Sequence, residues 1–202
     1  MAKIANVCIY GLNESKVAAG YPMRTEVGDI NEDITSKKYP KSIDKLATCK
    51  AGSGNDNFLK GIIVQFNLTL SLKAWLQAER YHWLDFVSSC STMHCITKMD
   101  IRSQCNKYVW KTTINQLERA VIYYNNVEDK NSEEAKRMFL NIIYNIPSGF
   151  ELTARMTTNY LQLKTIYAQR RYHKLPCWQM FCDWIEGLPK SEWITRRKNK
   201  ND

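Results

Sequence analysis

The sequence has 202 residues, of which 44% are hydrophobic and 11% aromatic, and this composition argues against an intrinsically disordered chain. The length fits one domain with a substantial core, which we place at 1–195, followed by a basic polar tail at 196–202. The formal net charge of +9 indicates an anionic partner such as a nucleotide, a phosphate-bearing cofactor or a nucleic acid. No RNP-like, helix-turn-helix or zinc-finger motif supports direct recognition of nucleic acid.

Cysteine usage and hydropathy indicate the compartment. The sequence contains seven cysteines, an odd number, and has neither a secretory signal nor an apolar run long enough to span a membrane. We therefore predict a cytoplasmic protein with reduced thiols. Cys90, His94, Cys95 and Cys105 include no C-x-x-C pair, so we predict inert thiols rather than a metal site.

Three segments have the composition or alternation of β-strands. The first, KIANVCIY at Lys3–Tyr10, is rich in β-branched and aromatic residues and ends at Gly11. The second, at Ile62–Leu70, alternates so that Val64, Phe66, Leu68 and Leu70 share one side. The third, Phe150–Thr157, alternates in the same way and predicts a buried face of Phe150, Leu152, Ala154 and Met156.

Helical periodicity predicts the elements between and after these strands. A short helix follows the first strand, and a helix capped by Ser71 follows the second and ends near Arg80. Two long helices follow Asp100, and Asn131 and Glu134 have capping-box spacing at the start of the second of these. Between Thr25 and Ser53 only IDKLATCK has a helical pattern.

Two further helices follow the third strand. Thr158 or Asn159 can cap the helix NYLQLKTIYAQRRYHK, and Pro176 opens PCWQMFCDWIEG, which Gly187 and Pro189 terminate. The spacing of Trp178, Phe181 and Trp184 indicates a core face or a subunit interface. The arrangement of strand, helix and polar residues thus occurs twice.

The stretch Leu72–His94 belongs to the first of these two arrangements, which is the more polar one, and it has the composition of a functional site. Its candidate residues are Gln77, Arg80, Tyr81, His82, Ser88, Ser89 and Cys90. In the second arrangement Asn159 begins a predicted helix, and a basic cluster at its end contains Arg170, Arg171, His173 and Lys174. Either anion binding or complementation of the helix dipole explains that cluster.

With both polar clusters placed, the chain resembles the flavin-dependent thymidylate synthases, whose signature is RHRxxSxNExSxR. An alignment without gaps puts Arg80-Tyr81-His82 on the R-H-R, Ser88 on the glutamate and Cys90 on the second serine. Only the first arginine is identical. Gln77 matches a glutamine that many members carry near the nucleotide.

A second segment carries the same resemblance through other residues. Ile146-Pro147, a strand, Asn159, Arg170 and Cys177-Trp178-Gln179 occur in the family's order. In addition, GNDNFLKG, which ends at Gly61, corresponds to the family's H-E-x-x-F-E-H-like segment; it keeps Phe58 but has neither of the two histidines.

The resemblance implies an α/β (α+β) fold of the thymidylate synthase-complementing type, with an antiparallel or mixed sheet and long helices. It implies reductive one-carbon transfer to C5 of a deoxyuridylate-type nucleotide such as dUMP, with FAD as cofactor and NADPH and methylenetetrahydrofolate as co-substrates. The implied assembly is a homotetramer with nucleotide sites between subunits. The implied roles are catalytic for Arg170 and Cys90; cofactor-binding for Arg80, Tyr81, His82 and Asn159; and substrate-binding for Gln77, Ser88, Ser89, Cys90 and Arg170.

Alternatives remain open at this level. One is a catalytically diverged protein of the same fold that binds a nucleotide or a protein partner, and another is a related enzyme acting on a different pyrimidine. Arg80 is either a phosphate ligand or a charge that complements a helix C-terminus. His82 either contacts the flavin or the nucleotide or is a hydrogen-bonded structural histidine. A nucleophilic Cys90 would need a lowered pKa.

Overall fold

The structure is a computed structural model that describes residues 2–50 and 52–196, so the predicted tail at 196–202 lies outside it except for Arg196. The strands β1 (Lys3–Tyr10), β2 (Ile63–Ser71), β3 (Asp85–Ser89) and β4 (Glu151–Asn159) form an antiparallel sheet in the order β1-β2-β4-β3. The predicted α/β class is confirmed. None of the helices in the described ranges is long and apolar enough to cross a membrane.

The remaining regular elements of the described chain are helices. The α-helices are α1 Leu12–Ala18, α2 Ile30–Thr35, α3 Ile43–Ala47, α4 Leu72–Ala78, α5 Thr92–Cys95, α6 Ile101–Gln104, α7 Lys111–Asn126, α8 Glu133–Tyr144, α9 Tyr160–Arg170, α10 Pro176–Glu186 and α11 Glu192–Thr195. Short 3-10 helices lie at Tyr21–Met23, Asn57–Gly61 and Ile96–Lys98. The sequence did not predict α2, which begins after the N-cap Asp29.

The predicted alternation of β2 is confirmed, because Val64, Phe66, Leu68 and Leu70 are all fully buried. The predicted face of β4 is only partly correct. Phe150, Ala154 and Met156 are buried and Leu152 is half-buried, but Glu151 on the other face is also buried, at 5% exposed. Gly11 ends β1 as predicted, with φ of +74°, and a side chain there would collide with the Gly61 carbonyl.

Strand β3 is the element that the sequence did not predict. All five of its residues, Asp85–Ser89, are exposed, and it lies at an edge of the sheet. Since neither face is buried, its sequence carries no alternation of apolar and polar residues, which is the signal used to identify strands. The polar stretch that was predicted as a site therefore contains a strand.

Helix caps explain several of the element boundaries. The Ser71 hydroxyl accepts from the Ala74 amide at 3.3 Å, and the Asn159 side-chain oxygen accepts from the Gln162 amide at 2.9 Å, so these two predicted caps are confirmed. The predicted cap at Asn131 is wrong, because Ser132 caps α8 by accepting from the Ala135 amide at 3.2 Å.

Contacts divide the described chain into two compact units. The first unit comprises residues 2–3, 67–80 and 86–155, and the second comprises residues 4–50, 52–66, 81–85 and 156–196. The core of the first unit is built on α7 and α8, and its buried members are Ile96, Ile101, Ile114, Leu117, Val121, Ile142 and Phe150. Burial of these side chains stabilises the helical pair. The helical spacing also predicts Trp110 on the inward stripe of α7, and this is wrong because Trp110 is 79% exposed.

The core of the second unit is aromatic. Trp178 and Phe181 on α10 are fully buried, and Phe66 packs against Phe181 and Trp184 with ring centroids 6.0 and 4.6 Å apart. Phe58 meets Trp193 edge to face at 5.6 Å. The prediction of a core face on α10 is thus confirmed for Trp178 and Phe181.

Candidate functional site

Arg170, Tyr81 and Trp178 form a cluster within the second unit. The Arg170 Nε donates to the Tyr81 hydroxyl at 2.7 Å. The Arg170 guanidinium also lies 4.8 Å from the centroid of the Trp178 ring and 5.5 Å from that of Tyr81. Such cation–π contacts and a hydrogen bond together fix the plane and direction of the guanidinium. An oriented guanidinium can meet a phosphate or a pyrimidine carbonyl with paired donors.

The geometry around Tyr81 explains how this cluster is held. Tyr81 is 7% exposed, and its ring meets the Trp178 ring edge to face at 6.0 Å. Its hydroxyl accepts from Arg170 and donates to the Gln169 side-chain oxygen at 3.1 Å, so one group serves as donor and acceptor at once. Tyr81 therefore links the end of α9 to α10 through Arg170 and Trp178.

A cavity of about 670 Å³ adjoins this cluster in the second unit. Gln169 connects the two, because it lines the cavity and accepts a hydrogen bond from the Tyr81 hydroxyl. One wall is formed by α9 and its extension, from Leu161 to Tyr172. The others are residues 52–57, among which Gly52, Gly54, Asp56 and Asn57 contribute, and residues 194–196. The cavity combines apolar and aromatic surface with a few polar groups, which is typical of small-molecule and cofactor sites.

Arg171 lies on the rim of the cavity and is held by carboxylates. It donates to Asp183 at 2.5 Å and lies 3.4 Å from Glu186, which also accepts from the Tyr167 hydroxyl at 2.6 Å. The hydrogen bond that Arg171 donates to the Asp183 carboxylate holds the pKa of Arg171 above its ordinary value. Arg171 is thus a fixed positive charge that helps to attach α10 to α9.

Lys164 closes the floor of the cavity and is almost completely buried. Its ammonium donates to the Asp56 carboxylate at 2.7 Å, to the Ala47 carbonyl at 2.6 Å and to the Cys49 carbonyl at 3.3 Å. The side chains of Lys164 and Asp56 are 6% and 4% exposed. A buried ion pair is stable only when hydrogen bonds satisfy the remaining donors, and that condition is met here.

The predicted site residues divide between the two units. Tyr81, His82, Asn159 and Arg170 belong to the second unit, whereas Gln77, Arg80, Ser88, Ser89 and Cys90 belong to the first. Within the second unit the structure joins Tyr81 to Arg170, while His82 is exposed and Asn159 is 6% exposed with its side-chain oxygen in the α9 cap.

In the first unit the predicted site residues are mostly exposed. Arg80 follows the Glu79 C-cap of α4 and is exposed, as are Ser88, Ser89 and Cys90, whereas Gln77 is half-buried. The Cys90 amide donates to the Thr153 carbonyl at 2.9 Å. This backbone contact fixes the position of Cys90 beside β4, and its side chain faces solvent.

Sequence reasoning missed Lys164 and Asp56, although one signal was present. Lys164 falls four residues after Tyr160 and three before Tyr167, so it lies on the buried stripe of the predicted helix. A lysine on an apolar stripe requires a buried partner. The partner, Asp56, lies 108 residues earlier and could not be identified from spacing. In the described ranges, no group of three or more His, Cys, Asp or Glu residues is arranged to hold a metal ion.

No protein-family model matches the sequence, and no curated protein matches it in sequence. Solved structures do match the fold. A crystal structure of thymidylate synthase X from Helicobacter pylori with FAD and dUMP is 12% identical over 96% of each chain, with a TM-score of 0.66. A flavin-dependent thymidylate synthase from the same organism, complexed with FAD and dUMP, is 14% identical over 96% of this chain and 97% of that chain, with a TM-score of 0.62.

A third similar structure is a UMP/dUMP methylase, PolB, from Streptomyces cacaoi, bound with 5-Br dUMP. It is 12% identical over 93% of this chain and 89% of that chain, with a TM-score of 0.60. At these identities the likeness establishes the fold. The predicted fold of the thymidylate synthase-complementing type is therefore confirmed.

Proposed function

We propose that this chain is a flavin-dependent, thymidylate synthase-like protein that transfers a one-carbon unit reductively to C5 of a deoxyuridylate-type nucleotide. The observation that carries the proposal is the hydrogen bond between Arg170 and Tyr81. The resemblance assigned these residues to one site from two separate segments, the signature and the helix after the third predicted strand. Their direct contact supports both assignments, and the fold shared with the thymidylate synthases supports the same function.

The cavity of the second unit is the proposed site for the flavin ring of FAD. Its apolar surface from Leu161 and Ile194 suits a flat ring, and Asn57 offers polar atoms for the ring edge. The basic groups that a diphosphate would meet on the rim are Arg196 and Arg171, of which Arg171 is already paired with Asp183 and Glu186. The segment GNDNFLKG, which corresponds to the family's H-E-x-x-F-E-H-like segment, supplies three of the lining residues, Gly54, Asp56 and Asn57.

Bound FAD would supply the redox step between NADPH and the one-carbon unit of methylenetetrahydrofolate. The chain's own residues bind and orient. In this proposal Arg170 binds the nucleotide through its oriented guanidinium, and Gln77, Ser88, Ser89 and Cys90 complete the pyrimidine site. Arg80, Tyr81, His82 and Asn159 are the proposed cofactor-binding residues, and Cys90 and Arg170 act next to the reacting pyrimidine.

The proposal includes a homotetramer formed from copies of a single domain at 1–195, in a cytoplasmic location. Site residues divide between two units in each chain, and β3 exposes Phe86 and Val87 at 46% and 56%. Exposed apolar side chains on an edge strand favour burial against another surface. A second copy of the chain is the occupant that the resemblance implies, and it would bring two sets of site residues together.

A second candidate is a protein of this fold that binds a nucleotide or a protein partner without thymidylate synthesis. Specific residues favour it: Val87, Ser88 and Thr92 stand where the signature has an asparagine, a glutamate and an arginine. Valine has no side-chain hydrogen-bonding group, and threonine offers one neutral hydroxyl donor in place of the charge and five N–H donors of an arginine. A third candidate acts on another pyrimidine nucleotide, which the likeness to a UMP/dUMP methylase favours.

Titration with FAD, combined with size-exclusion chromatography, tests the proposal. The purified protein should bind FAD as a tetramer, and dUMP should stimulate its oxidation of NADPH. A colourless protein that binds dUMP, and loses this binding in Arg170→Ala, would favour the second candidate. A monomeric protein that binds neither FAD nor dUMP would refute the proposed enzymatic function. Replacing dUMP by UMP in the same assay separates the third candidate from the first.

A further inference from the structure

We propose that Lys164 is the positioning residue of the cavity, and that it controls ligand affinity by fixing one cavity wall without touching the ligand. The inference deepens the proposed function and rests on it for the identity of the ligand. The wall in question consists of the described residues between Ala47 and Asn57, hereafter the wall segment. Lys164 lies on α9, which is the opposite wall.

The hydrogen bonds of Lys164 leave no donor for a ligand. A lysine ammonium has three N–H groups. The three acceptors around it are the Asp56 carboxylate at 2.7 Å, the Ala47 carbonyl at 2.6 Å and the Cys49 carbonyl at 3.3 Å. All three belong to the wall segment. Lys164 is therefore saturated by this segment, and its effect on a ligand must act through the segment's position.

The acceptors lie at both ends of the wall segment. Ala47 is the last residue of α3, and Asp56 immediately precedes the 3-10 helix Asn57–Gly61. One ammonium therefore fixes the distance between the two ends and attaches both to α9. The Arg196 guanidinium adds a second donor to the Cys49 carbonyl at 2.9 Å, from the third wall of the cavity.

The residues between these ends need such an attachment. Gly52 and Gly54 have φ values of +83° and +78°, and no heavy atom lies within 4 Å of a side chain built at Gly52. Glycines in open surroundings lose much backbone freedom on ordering, and few contacts offset that loss. The Ser53 hydroxyl lies 2.8 Å from the Cys49 thiol, and the Ser53 amide donates to the Lys50 carbonyl at 3.1 Å, but these contacts stay within the segment. Its attachment to α9 comes from its ends. Because Gly52 and Gly54 line the cavity, the shape of the cavity depends on Lys164, which holds both ends of the wall segment.

Lys164 could act by positioning the wall segment or only by compensating the charge of Asp56, and two variants separate these roles. Lys164→Met removes the three hydrogen bonds and leaves the buried Asp56 carboxylate without its cation. The double variant Lys164→Met/Asp56→Asn removes the buried charge as well but does not restore the hydrogen bonds to Ala47 and Cys49. If Lys164 only compensates Asp56, the double variant should recover ligand affinity. If Lys164 positions the wall, it should not.

The experiment measures FAD affinity by quenching of flavin fluorescence, and it measures tryptic cleavage after Lys50 in the FAD-free protein. We expect both variants to weaken FAD binding about tenfold or more, the cost of losing a preorganised wall. Both should also be cleaved after Lys50 faster than the unsubstituted chain, with unchanged cleavage after Lys107 in the first unit. Added FAD should slow the cleavage.

The matched control is Arg24→Met, in the same unit. Arg24 pairs with Asp33, another buried carboxylate, which lines a different pocket. This variant should leave FAD affinity and cleavage after Lys50 unchanged. Recovery of FAD affinity in the double variant, unaltered cleavage after Lys50 in Lys164→Met, or an equal loss of affinity in Arg24→Met would each overturn the inference. If the unsubstituted chain does not bind FAD, the proposed function fails, and the cleavage rates still decide whether Lys164 holds the wall.

Discussion

Arg170 and Cys90 are both predicted catalytic residues, yet their surroundings differ sharply. Arg170 is held by the Tyr81 hydroxyl and by the faces of two aromatic rings, one of them fully buried. Cys90 follows a strand whose five side chains are all exposed, and its side chain is exposed as well. The second unit therefore contains an organised region, made of Arg170, Tyr81 and Trp178, whereas the candidate residues of the first unit are exposed, apart from the half-buried Gln77.

This difference determines whether a substitution changes both stability and ligand affinity or ligand affinity alone. A site residue that is fixed by its neighbours has its binding geometry before the ligand arrives. The affinity of the protein for the ligand is therefore sensitive to substitution of those neighbours. An exposed residue contributes little to folding, so its substitution reports on ligand contact alone.

Trp178→Ala should have the largest effect. Trp178 is fully buried, and it contacts Tyr81, Phe181 and Arg170. Truncating a buried aromatic side chain costs about 3–5 kcal/mol of unfolding free energy, and here it also removes the surface on which Arg170 lies. Urea unfolding measures the effect. Tyr172→Ala is the control, because Tyr172 is 88% exposed and should change stability by less than about 0.5 kcal/mol.

Equal stability losses in these two variants would show that the region around Arg170 is no better packed than the surface. The comparison between the two units would then lose its basis.

Tyr81→Phe tests the organised region more finely. It keeps the ring and removes the hydroxyl that accepts from Arg170 and donates to Gln169. We expect a loss of about 1 kcal/mol in stability and about a tenfold weaker affinity for dUMP, since Arg170 loses one of the groups that orient it. Calorimetric titration with dUMP gives the affinity.

The control for Tyr81→Phe is Tyr123→Phe in the first unit. Tyr123 also donates to a side chain, the Glu134 carboxylate, but it is exposed. It should leave dUMP affinity unchanged. If Tyr81→Phe binds dUMP as the unsubstituted chain does, the hydroxyl does not orient Arg170 for the nucleotide.

The same contrast explains what the sequence could predict. Strand β2 and helices α7 and α8 have one buried face each, and burial on one face leaves a periodic pattern. Strand β3 has no buried face, and its sequence carries no such pattern. The Arg170–Tyr81 contact joins residues 89 positions apart, and the Lys164–Asp56 pair joins residues 108 apart. Only the resemblance to a family could link the first pair, and nothing in the sequence linked the second.

Ser88→Ala and Ser89→Ala test the exposed region. Both serines lie on β3 and are exposed, so each substitution should change stability by less than about 0.5 kcal/mol. If these residues contact the pyrimidine, as the proposed function requires, at least one variant should bind dUMP about five to ten times more weakly. Ser103→Ala, an exposed serine on α6, is the control. Unchanged dUMP affinity in both β3 variants would remove them from the site.

The smallest expected effect concerns pH and the turn after α9. The His173 Nδ1 accepts from the Leu175 amide at 3.1 Å, and it can do so only while that nitrogen is unprotonated. Burial, and to a lesser extent the Arg170 charge, lower the pKa of His173 from its ordinary value near 6.5. The folded protein therefore favours neutral His173. This contribution to stability is fully present above about pH 6.5 and is lost as the pH falls through the lowered value.

The stability of the unsubstituted chain should thus decrease more between about pH 7 and pH 5 than that of His173→Gln, which cannot titrate there. Urea midpoints at the two pH values give the difference, and an NMR titration of the His173 ring gives its pKa directly. The size of the effect reports how firmly the organised region excludes charge beside Arg170. An unshifted or raised His173 pKa would mean that solvent reaches this turn freely, and that the order around Arg170 ends at Tyr81 and Trp178.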